Sequence, residues 1–393
     1  MTESLTPDSS DSPPEEALVP PRESEPIVLT EADLLDTSVE SLLSSSWKLP
    51  GPNLFVAILW MIVIGVVQLV GAAIGAVIFA PELMDAVLQS KSLELSELSG
   101  DKFVGILATT QATFVVFAIV AAMLTYRRKL PSQMPLRLPT ARHLGMILAL
   151  MLPLALFDGF VAQEVAKIVY PATANNDQSE VPIIEIFERI AESGSFGVLL
   201  FTLAIAPAIG EEIIFRGIIG RGMLARFGLV GGIAITSILF AVVHMEPAQS
   251  AGVLTIGVVM HVAYLATRSF WVPMLIHFLN NSLPVLMVLA MTQQADANAE
   301  EVLSEASPLN WVGVLTAFIA IVLWTTLLWK TRLEYRHADD GKPILTDVPT
   351  VEPPADSIPY TEEFRTAPAG LVIAAILSLV AFFASAILTA PSV

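Results

Sequence analysis

Apolar runs long enough to cross a bilayer recur along the whole chain, and the polar positions gather between the runs rather than along one face of each. From Leu54 to Ala80 the one strongly polar side chain is Gln68, and about 20 apolar residues suffice to span a membrane. A surface helix of a soluble protein would carry a polar stripe over that length. Nine segments of this kind are predicted, at 54–80, 103–125, 144–167, 196–220, 229–246, 250–267, 270–291, 309–329 and 369–390. The fifth and sixth are short and weakly bounded, so eight to nine spans are expected. Each must be helical, because a backbone in lipid has to satisfy its hydrogen bonds within its own segment. The fold class is therefore all-α, a polytopic transmembrane helical bundle.

Composition agrees: 54% of the 393 residues are hydrophobic and 15% charged, against about 25% charged in soluble domains. The net charge of -18 is local in origin. Residues 1–50 hold eleven Asp and Glu against Arg22 and Lys48, with five prolines from Pro13 to Pro26, a mixture that buries too little apolar surface to order itself. An acidic disordered tail over 1–50 is expected. Absence of cysteine removes disulfides, thiolate nucleophiles and cysteine metal sites from consideration. Basic residues in short loops mark the cytoplasmic side. They cluster after the second span (Arg127, Arg128, Lys129, Arg137, Arg142), the fourth (Arg221, Arg226), the sixth (Arg268) and the eighth (Lys330, Arg332, Arg336), whereas 172–195 has only Arg189 and 292–308 has none. Nine spans then put the N-terminus in the cytoplasm and the C-terminus outside. The implied division is an N-terminal helical part over 51–194, a core over 195–292, and C-terminal helices over 293–393. An inner-side linker, 331–367, precedes a detached last span.

Charge in hydrocarbon is costly and marks function. Glu211 and Glu212 lie in the fourth span, with Arg216 four residues beyond Glu212 on the same helix face, so that Glu212 and Arg216 can pair. Glu211 points about 100° away, without a local partner. A carboxylate held from water takes up a proton more readily, which suits a general base. Phe240 and His244 are four apart at the end of the fifth span, and His277 and Asn281 are four apart in the seventh. The turn near Arg226 lies about 15–18 residues from both Glu211 and His244, which gives the two similar depth on antiparallel helices. His261, Asp158 and Glu164 have no motif around them and read as structural. Together, two carboxylates, an arginine, two histidines and an asparagine would supply a base, a water site and oxyanion donors.

Glu211-Glu212-x-x-x-Arg216, Phe240-x-x-x-His244 and His277-x-x-x-Asn281 resemble, in order and in placement, the three motifs of the CAAX prenyl protease and bacteriocin-processing family. The resemblance covers about 195–290. It implies an intramembrane glutamate endopeptidase in which Glu211 and His244 activate water and His277 and Asn281 stabilise the oxyanion. Glu212, Arg216 and Phe240 would support the site or hold substrate. It further implies membrane lipid and a peptide or prenylated protein as partners, with no cofactor, no metal and no nucleic acid. The residues themselves leave three other readings open. Glu211, His244 and His277 could ligate zinc. The buried polar cluster could merely fix helix packing in a membrane scaffold or immunity protein. The carboxylates could relay protons in a transporter.

Overall fold

The computed structural model describes residues 49–83, 98–170, 196–293, 311–344, 351–355 and 357–389; side chains are described only to 286 in the sixth helix and to 385 in the last. The acidic tail, the poorly basic loops 172–195 and 292–308, and part of the linker fall outside these residues. The described chain forms α1 (Leu54–Phe79), α2 (Gly100–Tyr126), α3 (Ala141–Val169), the helical run α4 (Phe196–Val242), α5 (Pro247–Thr267), α6 (Trp271–Gln293), α7 (Trp311–Lys330) and α8 (Ala369–Thr389). Caps set several starts. The Asn53 side chain accepts from the Val56 N–H, Thr140 from His143, and the Glu246 carboxylate from Ala248 and Gln249.

Six of these helices, α1 to α5 and α7, are long and apolar enough to cross a membrane. This is a multi-pass membrane protein. The count of eight to nine is not shown. The fourth and fifth expected segments are carried by one 47-residue run, and α6 and α8 are helical but stand outside the six. The run is interrupted at Gly228, whose φ of 67° is left-handed. The break falls two residues past Arg226, where the loop charges had placed a turn. A glycine takes that conformation without the Cβ clash that other residues meet.

The fold is also not purely helical. Residues expected to be a bare linker form β1 (Leu333–His337) and β2 (Tyr360–Phe364), paired antiparallel with Leu333 opposite Phe364 and His337 opposite Tyr360. Hydropathy over 331–367 suggested only a polar connection, because two five-residue strands with one face covered leave little periodic signal. The last span is not detached either. Trp324 Nε1 in α7 donates to the Ala375 carbonyl in α8 at 2.9 Å, and Thr316 and Ser385 lie 3.1 Å apart.

Helix α1 packs along α2, α3 along α5, and α4 lies between α2, α5 and α6. Exposed apolar side chains line the outer helices, Phe55, Ile62 and Leu69 of α1 among them; on a soluble monomer such a face would be an anomaly, and in a bilayer it meets lipid. The family-motif segment sits at the centre, with most of the side chains from Ala204 to Leu224 buried.

Close approach of the chain ahead of α1 to α4, shortly before the Gly228 break, depends on a glycine. A Cβ on Gly222 would stand 1.9 Å from the Pro52 carbonyl oxygen, and one on Gly51 2.5 Å from the Gly222 nitrogen. Backbone cannot yield as a side chain can, so Gly222→Ala is expected to cost about 1–3 kcal/mol, the range for overpacking. Thermal unfolding in detergent measures this; a variant as stable as the parent would show that the segment ahead of α1 does not hold to α4.

Candidate active site

The site is built on the middle of α4, and there the helix is not regular. Phe201–Ile205 and Ile213–Ile219 are π-helical, flanking the α-helical turn Ala206–Glu212 that carries both glutamates. A π-helical turn widens the helix by one residue and recurs at functional sites. It also leaves carbonyls to be satisfied from elsewhere. Tyr126 of α2 donates its hydroxyl to the Gly217 carbonyl at 2.6 Å, and Asn281 Nδ2 of α6 donates to the Leu203 carbonyl at 3.1 Å.

Glu212 and Arg216 are paired as their spacing suggested, with Arg216 Nη1 donating to Glu212 Oε1 at 2.7 Å and both side chains fully buried. Arg216 Nη2 donates to the Gly257 carbonyl of α5 at 2.9 Å, and the guanidinium lies over the Phe240 ring, 4.5 Å from its centroid. A buried guanidinium is tolerable only with such a set of partners. Gly257 was not legible as a site residue, since a backbone carbonyl carries no side-chain signature.

His277 joins the two glutamates. Its Nδ1 lies 3.0 Å from Glu212 Oε1, and its Nε2 lies 3.9 Å from Glu211 Oε2. An ionised carboxylate only accepts, so the first contact puts the proton on Nδ1 and turns the lone pair of a neutral ring toward Glu211. The 3.9 Å separation is too long for a direct hydrogen bond. Glu211 is the more accessible carboxylate, 15% exposed against 0% for Glu212, and among the described residues its Oε2 has no hydrogen-bond partner.

Phe240 is the wall between these groups. Its ring meets His277 edge-on at 5.7 Å, His244 at 5.1 Å and Phe215 at 5.3 Å. His244, half-buried just past the end of α4, turns Nδ1 back to the Phe240 carbonyl at 2.9 Å. It reaches the cluster through the Phe240 ring; among the described residues it makes no hydrogen bond to either glutamate. Asn281 uses one amide proton on Leu203 and keeps a second, and its oxygen accepts from Asn280 Nδ2 at 3.3 Å. Six of the seven residues singled out from the sequence thus join one cluster, Asn281 lies one helical turn from His277 against Leu203, and His277 rather than His244 is the histidine beside Glu211.

The residues read as structural behave differently from one another. Glu164 pairs with Lys167 at 2.7 Å on an accessible surface. His261 is fully buried on α5, packed against Gly220, and neither ring nitrogen has a hydrogen-bond partner among the described residues. Among the same residues no group of three His, Asp or Glu side chains is arranged to hold a metal ion.

A multi-pass membrane protein with a buried Glu–Arg–His network at a π-helical break is the class that fold and site define. Residues 193–283, which contain that network, match the family model described as "Type II CAAX prenyl endopeptidase Rce1-like". It is also similar to "Putative membrane peptidase YdiL" of Bacillus subtilis (strain 168), with 24% identity over 136 residues. That alignment covers 35% of this chain and 53% of the relative, so the chain spans about half the length of the curated protein it matches. No solved structure matches the chain.

Proposed function

We propose that this protein is an intramembrane endopeptidase of the glutamate type, cleaving a membrane-associated or prenylated peptide by attack of an activated water. The observation that carries the reading is the pair Glu211 and His277, which face each other across 3.9 Å while Glu212 and Arg216 hold the far side of the imidazole. A carboxylate with one oxygen unbonded and a histidine with a fixed tautomer are the ingredients of general acid–base chemistry. Glu211 takes the proton of the attacking water, with His244 assisting from the other side of the Phe240 ring. Asn281 then donates its second amide proton toward the oxygen that becomes negative in the tetrahedral intermediate, and His277 does so through Nε2 once that nitrogen has taken up the proton from Glu211. Glu212 and Arg216 keep His277 oriented, and Phe240 excludes water from the rear of the ring.

The family name supports peptide hydrolysis and a prenylated substrate class; the printed name of the Bacillus relative supports a membrane peptidase. The deciding assay incubates purified protein in detergent with prenylated and unprenylated peptides, beside a variant lacking the Glu211 carboxylate. Cleavage of the prenylated peptide alone, lost in the variant, supports the full proposal. Equal cleavage of both keeps the peptidase and removes the prenyl requirement. No cleavage of either supports the scaffold reading.

The loop charges support a cytoplasmic N-terminus and an external C-terminus in the cell membrane. A reporter fused after Arg142 is expected in the cytoplasm and one inserted near Gln178 outside. Both reporters on one side, or the reverse order, would overturn that orientation.

A further inference from the structure

Outside 193–283, one stretch of chain returns to the buried network. Val351 and Glu352, on the connection between β1 and β2, lie against α4 and the end of α5. Val351 is 2% exposed and packs into the hydrophobic core. The Glu352 carboxylate pairs with Arg221 Nη2, and its carbonyl accepts from Arg268 Nη1 at 3.2 Å. Arg268 also donates Nε to the Leu333 carbonyl at 3.3 Å and stacks over Tyr335, 4.2 Å from the ring centroid. Arg221, within α4, and Arg268, just past the end of α5, therefore hold both the backbone and the side chain of one acidic residue from the hairpin connection.

What lies beneath Val351 gives this contact its meaning. There is a cavity of about 10 Å³ lined by Val351 together with Pro50, Arg216, Arg221, Leu224, Tyr264 and Leu265, room for about one water molecule. Arg216 is the residue whose Nη1 holds Glu212, and its Nε has no hydrogen-bond partner among the described residues. Val351 and the arginine on which the orientation of His277 depends therefore line the same cavity.

We propose that residues 351 and 352 form a releasable plug, held by Arg221 and Arg268, whose docking keeps water from the back of Arg216 and so maintains the Arg216–Glu212–His277 network. The proposal rests on reading that network as part of a catalytic centre. Attraction between Arg216 and Glu212 weakens as water raises the local dielectric, so release loosens His277 and lowers turnover. The hold is sensitive to ionic strength, because Glu352 is 30% exposed while Arg221 is 9% exposed, and exposed charges are screened by salt. Glu352 is thus a positioning residue, acting through Arg216.

The absence of cysteine from the chain makes a direct test possible. Single cysteines at Val351, at Leu265 in the cavity wall, at exposed Leu138 as a fast reference, and at Ala118, buried in α2, are labelled with a maleimide in the detergent-solubilised full chain. Val351→Cys and Leu265→Cys are expected to label far more slowly than Leu138→Cys. Adding Glu352→Gln should speed both by about tenfold or more, the mark of a local opening. So should about 1 M salt, where the screening length falls to about 3 Å. Ala118→Cys should not change. Labelling of Val351→Cys at the reference rate, or no response to Glu352→Gln, overturns the plug. An equal acceleration at Ala118→Cys means general loosening and overturns it too. On the parent background Glu352→Gln should lower kcat with little change in KM; unchanged kcat despite faster labelling overturns the link to the network. If the parent cleaves no peptide, the failure lies with the peptidase reading, and labelling alone still decides whether the plug exists.

Discussion

Glu211→Gln should abolish peptide cleavage while leaving the protein folded and as stable as the parent, or slightly more so. A positioned general base contributes about 10²–10⁴ in rate, and here the same carboxylate is asked both to take the proton and to orient the water. Glutamine keeps the volume and the ability to accept one hydrogen bond but cannot take a proton. Stability should not suffer, because among the described residues Glu211 Oε2 has no hydrogen-bond partner and His277 Nε2 stands 3.9 Å from it, beyond hydrogen-bond reach. Replacing a largely buried carboxylate that lacks a close partner by a neutral amide relieves desolvation. Cleavage and thermal unfolding measured on one preparation give the answer. Near-parental turnover would remove Glu211 as the base, and loss of folding would assign it a structural role instead.

The second large effect separates catalysis from packing by comparing two variants. Arg216→Ala leaves Glu212 fully buried with its cationic partner gone, and breaking a buried pair from one side costs about 3–5 kcal/mol. It also deletes the donor to Gly257 and the cation over Phe240, so Tm and activity should both fall. Asn281→Ala removes a neutral amide that donates to the Leu203 carbonyl and accepts from Asn280 Nδ2, each bond worth about 1 kcal/mol. Its effect on turnover should be much larger, about 10²–10³ for a single oxyanion donor. A small fall in Tm with collapsed activity in Asn281→Ala, against a large fall in both for Arg216→Ala, supports the peptidase. If residual activity in Asn281→Ala simply tracks the folded fraction, the cluster serves packing and the scaffold reading gains.

The polar cluster was legible because it is made of residue types that lipid does not tolerate without cause. Glu211, Glu212, Arg216, His277 and Asn281 stand out against an apolar background, and the i to i+4 spacing of Glu212 and Arg216 survives as a 2.7 Å pair. The membrane class was legible for the same reason, since unbroken apolar length needs no tertiary information. Partnership was less legible. The family resemblance joined Glu211 to His244, and their matching distances from a turn agreed with it; in the tertiary structure His277 stands beside Glu211. The π-helical turns on either side of the glutamates shift the helical phase, and a uniform rise cannot anticipate them.

By itself the sequence determined the helical membrane class and the residue types of the polar cluster. Both follow from local composition and short spacing. Tertiary structure alone decided what those residues touch. Gly257 and Leu203 enter through backbone carbonyls, which every residue has and no sequence pattern marks. Phe240 becomes the wall among Arg216, His244 and His277 because α4, α5 and α6 bring their faces together. The small sheet and the docking of Val351 and Glu352 likewise depend on pairings between residues more than twenty positions apart. Such contacts are settled by packing and charge compensation in three dimensions, where the cost of burying Arg216 or Arg221 is met by whichever partner the fold delivers.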